Sequence, residues 1–202
     1  LTAAPEFSPL PTVAALYVDP KGAYAGQPGV EVWDEARDAR RYLGPWSVVA
    51  HPPCSPWSCL APVNQARYGH KVGEDGGCFA AALASVRRWG GVLEHPAMSR
   101  AWARFGLPAP SRGWSRWLTD PGWVCEVSQR AYGHKATKRT WLYYVGSAPP
   151  PDLDWSSPPP AAMVSWLNNH GGPDLPRLGK REAKATPPGF RDLLLRIARG
   201  AR

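Results

Sequence analysis

The sequence predicts an α/β fold: a three-layer, mostly parallel sheet with helices on both faces, extended by a Pro-rich, basic C-terminal segment that ends in a helix. Three observations carry this. Apolar runs of strand length, such as VAALYV, WSVVA and TWLYYV, recur as far as residue 146. They are nearly unbroken rather than alternating, as strands buried on both faces are. Stretches of helical period separate several of them, which is the spacing of parallel crossovers.

The elements follow in order. Residues 1–12 form a loose Pro-rich lead-in. Val13–Val18 is a strand that ends in the turn DPKG, and Val30–Trp33 is a second. Asp34–Tyr42 (DEARDARRY) reads as a short charged helix capped by Asp34 and stopped at Gly44–Pro45. Trp46–Ala50 is a strand that delivers HPPC. Gly76–Trp89 is the clearest helix, with Phe79, Leu83 and Val86 at helical spacing and Gly90–Gly91 at its end. Val92–Glu94, Trp123–Val127 and Thr140–Val145 are further strands, and Ser99–Phe105 is a helix. Ser147–Pro160 is low-complexity and extended, and a loop-rich basic stretch follows it. The last helix starts with Thr186 as cap and Pro187 at its first position; Phe190, Leu193, Leu194 and Ile197 form its apolar face. The expected organisation is an α/β catalytic domain over 1–146, a Pro-rich and basic region over 147–185, and a helix over 186–202 packed on the same domain.

Composition narrows the function classes. No run approaches the ~20 apolar residues that span a membrane, and LTAAPEFSPLPT lacks the basic start and apolar centre of a secretory leader. The expected location is the cytoplasm of a bacterial or phage-infected cell. Cys54, Cys59, Cys78 and Cys125 are expected as reduced thiols. The net charge of +8 favours a polyanionic partner, and DNA is the natural one. The 11 Trp residues add aromatic faces that can stack on bases as well as fill a core. His51, Cys54, Cys59, His70, Cys78 and His95 supply ligand types for zinc, but the His-x-Glu and Pro-Cys-x-x-Cys spacing of zinc deaminases is missing, so no metal is expected.

Ligands of open α/β sheets bind at the carboxyl ends of the strands. Three predicted strand ends carry polar chemistry. Cys54 lies in VVAHPPCSPWS, a thiol delivered by a buried strand to the sheet rim. Glu94 lies in GGVLEHPAMS. Lys138 and Arg139 lie in QRAYGHKATKRTWLYYVG, just before a strand. His51 and His95 flank Cys54 and Glu94 and can tune them. RYGHK, Arg67–Lys71, reads as a DNA-contacting loop or a solvated turn.

These segments resemble the DNA cytosine carbon-5 methyltransferases, as a diverged, minimal, phage-like form. The nucleophile motif Pro-Cys-Gln-x-Phe-Ser is matched by Pro53-Cys54-Ser55-Pro56-Trp57-Ser58, and the acidic Glu-Asn-Val or Glu-Asn-Pro by Glu94-His95-Pro96. The third, Tyr-Gly-x-Pro-Gln-x-Arg-x-Arg, is matched in part by Tyr132-Gly133 through Thr140, with Val145-Gly146 closing the strand. Order and spacing agree over roughly residues 46–146.

The resemblance implies a methyltransferase-like, Rossmann-type fold and a transferase acting on a flipped cytosine in single- or double-stranded DNA. Cys54 thiolate adds to ring carbon 6, and Glu94 supplies a proton at ring nitrogen 3 and holds the Watson–Crick edge. Pro53, Ser55, Ser58, His95, Lys138 and Arg139 are the implied substrate contacts. S-adenosylmethionine is the implied methyl donor, with Asp19 and Asp34 as candidate cofactor contacts. The sequence departs from the family within the motifs, with Ser55 in place of the Gln after the nucleophile and Ala136, Lys138 and Thr140 in place of the Gln and two Arg of the third; Asp19-Pro20-Lys21-Gly22 stands where the glycine-rich cofactor loop belongs, and the expected target-recognition region is reduced to a short Pro-rich stretch. Two alternatives therefore stay open. The same adduct can serve a non-methyl modification, hydroxymethylation or a deamination-like reaction, without S-adenosylmethionine. A non-catalytic DNA-binding relative is the other.

Overall fold

A computed structural model describes residues 10–69, 71–164 and 174–202. Residues 1–9 of the lead-in, His70 of RYGHK and residues 165–173 of the basic stretch lie outside the described residues.

Seven strands form one mixed sheet in the order β2-β1-β3-β4-β7-β6-β5. They are β1 Val13–Leu16, β2 Val30–Trp33, β3 Ser47–Ala50, β4 Gly91–Pro96, β5 Ser115–Arg116, β6 Trp123–Ser128 and β7 Arg139–Val145. The β1–β2, β1–β3 and β3–β4 pairs are parallel. The β4–β7, β6–β7 and β5–β6 pairs are antiparallel. The sheet is therefore half antiparallel, not mostly parallel. Hydrophobic pattern records burial but not strand direction. The links β5–β6 and β6–β7 are too short for the crossover that parallel neighbours need, so these strands return antiparallel.

Among the described residues five α-helices accompany the sheet: α1 Ala61–Tyr68, α2 Cys78–Trp89, α3 Arg100–Arg104, α4 Lys180–Lys184 and α5 Pro188–Arg199. Side-chain alternation sends successive strand residues to opposite faces. Val13, Ala15, Val49, Val92 and Leu142 join one apolar cluster with α5, centred on Phe190, Leu194 and Ile197. Ala14, Leu16, Val48, Leu93 and Tyr143 join the other with Phe79 and Val86 of α2 and Trp102 of α3. Both faces are covered, which is why β1 and β3 are fully buried along their length. Among the described residues no helix is long and apolar enough to cross a membrane.

Local departures from expectation have local causes. The helix expected over Asp34–Tyr42 is a single 3-10 turn, Ala39–Arg41. Asp34 accepts the Arg37 amide at 2.9 Å, and Asp38, in left-handed geometry, binds Arg40. Aspartates that bond the backbone this closely favour turns over helix propagation. The final helix starts at Pro188, with Pro187 rather than Thr186 as its flanking residue. α1 escapes the pattern because it buries only Ala61 and so has no apolar face to read.

After β1 the chain moves out to β2, then returns to the other side of β1 to form β3. The reversal makes the carboxyl ends of β1 and β3 a topological switch point, the place where open α/β sheets take ligands.

Candidate active site

Residues from four segments meet at this edge. β3 ends at Ala50, and the His51 amide bonds the Leu16 carbonyl of β1 at 3.1 Å, which carries the β1–β3 pairing one step further. The two prolines that follow keep the chain extended. Cys54 then starts the 3-10 turn Ser55–Trp57. Trp57 anchors this turn: its indole is buried and donates to Asp75 at 2.8 Å, and Asp75 in turn accepts the Gly77 and Phe79 amides at the start of α2.

Glu94 lies near the end of β4, on the face that α5 covers. One carboxylate oxygen pairs with His51 Nδ1 at 3.0 Å, and the other accepts from Gln129 Nε2 at 3.2 Å. His51 Nε2 faces the Tyr24 hydroxyl at 2.8 Å. Gln129 Nε2 also reaches Thr140 Oγ1 at 2.9 Å, while its Oε1 is buried without a partner. An ionised carboxylate only accepts, so Nδ1 carries the proton toward Glu94 and Nε2 accepts from Tyr24 when the ring is neutral. The result is a continuous chain of Tyr24, His51, Glu94, Gln129 and Thr140.

The charges are interdependent. Burial pushes the Glu94 carboxyl up, but the His51 hydrogen bond and the Lys138 charge help to outweigh it, and the net displacement is downward. Glu94 is thus a carboxylate in the free protein, an acceptor rather than an acid. Burial and then the Glu94 charge push the Cys54 thiol up; Lys138 and Lys184 oppose them. Burial and the Glu94 charge also hold Tyr24 protonated. Lys138 acts on both Cys54 and Glu94, so all three sequence segments contribute to one electrostatic environment.

The remaining candidates separate. His95, next to Glu94 on a strand, points to the opposite face. It is 1% exposed, sits edge-on to Phe79 and stacks on Trp102, and burial holds its pKa down at about 4. It is a core residue, which corrects its expected role as a substrate contact. Arg139 is corrected because it, too, lies on the face away from Glu94, although it is exposed. It lies on the Tyr143 face of β7, where both ends of its guanidinium bind Glu126 at 2.7 and 2.9 Å. Strand alternation alone separates Glu94 from His95 and Lys138 from Arg139. Pro53 and Ser55 are exposed beside Cys54, and the Ser58 hydroxyl is spent on the Ser55 carbonyl at 3.3 Å. Cys59 is exposed, Cys78 half-buried and Cys125 buried, all as free thiols.

Gln129 and Thr140 lie within the third motif segment but carry no mark in it beyond residue type. Tyr24 follows a turn and has no sequence signal. Among the described residues no group of three or more His, Cys, Asp or Glu side chains is placed to hold a metal ion.

Asp19 and Asp34 stand at the carboxyl ends of β1 and β2. Asp19 accepts the Lys21 amide at 2.8 Å, and Asp34 the Arg37 amide, so each carboxylate closes its own turn. Tyr17, in left-handed geometry with its hydroxyl buried, occupies the position directly after β1. These residues do not form the glycine cradle that the family uses for S-adenosylmethionine. Comparison of the chain with protein-family models, curated proteins and solved structures finds no match.

Proposed function

We propose that the protein modifies a pyrimidine in DNA by the cytosine carbon-5 transferase route, on a methyltransferase-like, three-layer Rossmann-type scaffold. The observation that carries this reading is the hydrogen-bonded His51–Glu94 pair, 3.0 Å from Nδ1 to carboxylate, an acid–base unit at the carboxyl edge of the sheet where β3 delivers Cys54. The Glu94 and Lys138 charges both act on the Cys54 thiol, which supports it further.

Cys54 loses its proton to solvent, assisted by the Lys138 and Lys184 charges, and the thiolate adds to ring carbon 6. The electron pair of the 5,6 double bond moves to carbon 5, and nitrogen 3 takes a proton from the His51–Glu94 pair. With His51 as imidazolium, its Nδ1 proton passes through Glu94, and the ring is left neutral, its Nε2–H bonded to Tyr24. Carbon 5 is then nucleophilic. It takes a proton from water or an electrophile, loses its original proton to water, and expels the Cys54 thiolate while nitrogen 3 returns its proton to the His51–Glu94 pair.

Proton exchange at carbon 5 needs only water, so it tests base attack without knowledge of the donor. A cytosine-containing oligonucleotide, single-stranded and duplex, is incubated with the protein in heavy water and digested to nucleosides for mass spectrometry. The expected result is a deuteron at cytosine carbon 5 with the wild type and none with Cys54→Ser. Absence of exchange with the wild type on both substrates overturns the reading. The non-catalytic DNA-binding alternative draws its support from the upward push of burial on the Cys54 thiol.

A further inference from the structure

We propose that the exposed basic segment Arg177–Lys184, backed by Lys138, holds the phosphodiester backbone of the DNA strand whose pyrimidine enters the Cys54 site. This rests on the base-modification reading above.

The segment is tied to the site by its contacts. Lys135 Nζ reaches Glu182 of α4 at 2.9 Å, and Lys138 Nζ reaches the Ala185 carbonyl at 3.4 Å. On its other side, main-chain bonds join Met163 to Pro176 and Leu178 at 3.0 and 2.9 Å. After Ala185 the chain passes directly into α5, which is embedded in the core through Phe190. A charged segment is thus fixed over the connection between β6 and β7, which supplies Gln129 and Lys138 to the site.

Its charge is unspent. Arg177, Lys180, Arg181 and Lys184 are exposed, and among the described residues none of them forms an ion pair. The acid of α4, Glu182, is taken by Lys135. Lys180 and Lys184 are one helical turn apart and share a side of α4, a spacing that puts their Cβ atoms about 6 Å apart. The field of Lys184 reaches Cys54 itself. Fixed, unpaired cations beside a site that takes one base match a polyphosphate chain, which binds through charge and independently of sequence. Such a wall supplies affinity that does not depend on base sequence.

The test measures binding apart from chemistry. Cys54→Ser protein is titrated into a fluorescent single-stranded pyrimidine oligonucleotide and an abasic oligonucleotide of equal length, at a series of salt concentrations from about 50 mM. Lys180→Glu with Lys184→Glu is compared with Arg88→Glu with Arg116→Glu, a charge-matched pair at the amino edge of the sheet. Thermal melting checks that each variant is folded. On both oligonucleotides the α4 pair is expected to weaken binding about ten-fold or more and to lower the salt slope by about 1 to 2. The control pair is expected to change affinity by less than about three-fold. Equal losses in the two pairs, or no binding by the parent at low salt, overturn the surface. Should the α4 effect hold while the wild type gives no carbon-5 exchange, the surface stands and the chemistry falls. Should exchange proceed at the parent rate with the α4 pair reversed in a Cys54-bearing protein, the surface falls and the chemistry stands.

Discussion

At Cys54 two opposing fields set reactivity. Burial and the Glu94 carboxylate favour the thiol; Lys138 and Lys184 favour the thiolate. The balance is open to measurement without any substrate. In a Cys59→Ser background, which removes the exposed competitor, Glu94→Gln removes a negative charge and is expected to speed alkylation of Cys54 at neutral pH about three-fold. Lys138→Met removes a positive charge and is expected to slow it by a similar factor. Equal rates in all three proteins contradict the electrostatic coupling. The same Glu94→Gln change leaves His51 with a neutral amide that cannot relay its proton, so it is expected to abolish base turnover while it activates the thiol. A thiol that reacts faster in a protein that turns over more slowly separates the role of Glu94 as base partner from its effect on Cys54.

Among the elements, β3 and β4 determine whether Cys54 and Glu94 meet. Their register pairs Val48 with Gly91, Val49 with Val92 and Ala50 with Leu93. Gly91 has φ +119°, and a Cβ there collides with the Val48 backbone. This contact permits the close approach of the two strands directly after the turn that ends α2. Gly91→Ala is expected to cost about 3 kcal/mol or more, through strain and strand displacement. That lowers the melting midpoint by about 10 °C for a chain of this size. Gly26 also has positive φ, but a Cβ there meets nothing within 4 Å. Gly26→Ala is expected to cost about 1 kcal/mol, and equal losses at the two glycines contradict the packing argument. α5 plays the corresponding part on the other side of the sheet. Phe190, Leu194 and Ile197 are fully buried against the strands, and the α5 face is the one on which Glu94 and Tyr24 lie.

For the molecule as a whole, buried histidine couples stability to pH. In the unfolded chain His95 takes a proton near pH 6.5; in the folded protein it does so only near pH 4. A depressed histidine pKa means that the unfolded chain binds the proton first as pH falls. Its contribution to stability is therefore complete above pH 6.5 and is lost progressively down to about pH 4. The loss amounts to about 3 kcal/mol. His95→Leu is expected to flatten the difference in unfolding free energy between pH 7 and pH 4 by about that amount, measured by urea titration at each pH. An unchanged pH dependence means that His95 is not held neutral by the fold.

The sequence by itself determined which segments are strands and helices wherever burial writes a period: β1, β3, β4, β7, α2 and α5 are legible in their apolar residues. It also marked Cys54, Glu94 and Lys138, because each lies at or near a strand end and carries chemistry that an apolar run has no use for. Tertiary structure alone decided the rest. Strand direction depends on how connections are routed, so the antiparallel half of the sheet has no hydropathy signature. The 3-10 turn at Ala39–Arg41 and the helix α1 depend on local side-chain bonds or bury too little to leave a period. The chain of Tyr24, His51, Glu94, Gln129 and Thr140 spans more than a hundred residues of sequence and exists only because β1, β3, β4 and β7 lie side by side. His95 and Arg139 fell on the far face for a reason the sequence does contain, the two-residue alternation of a strand. Only the sheet shows which of the two faces holds the site.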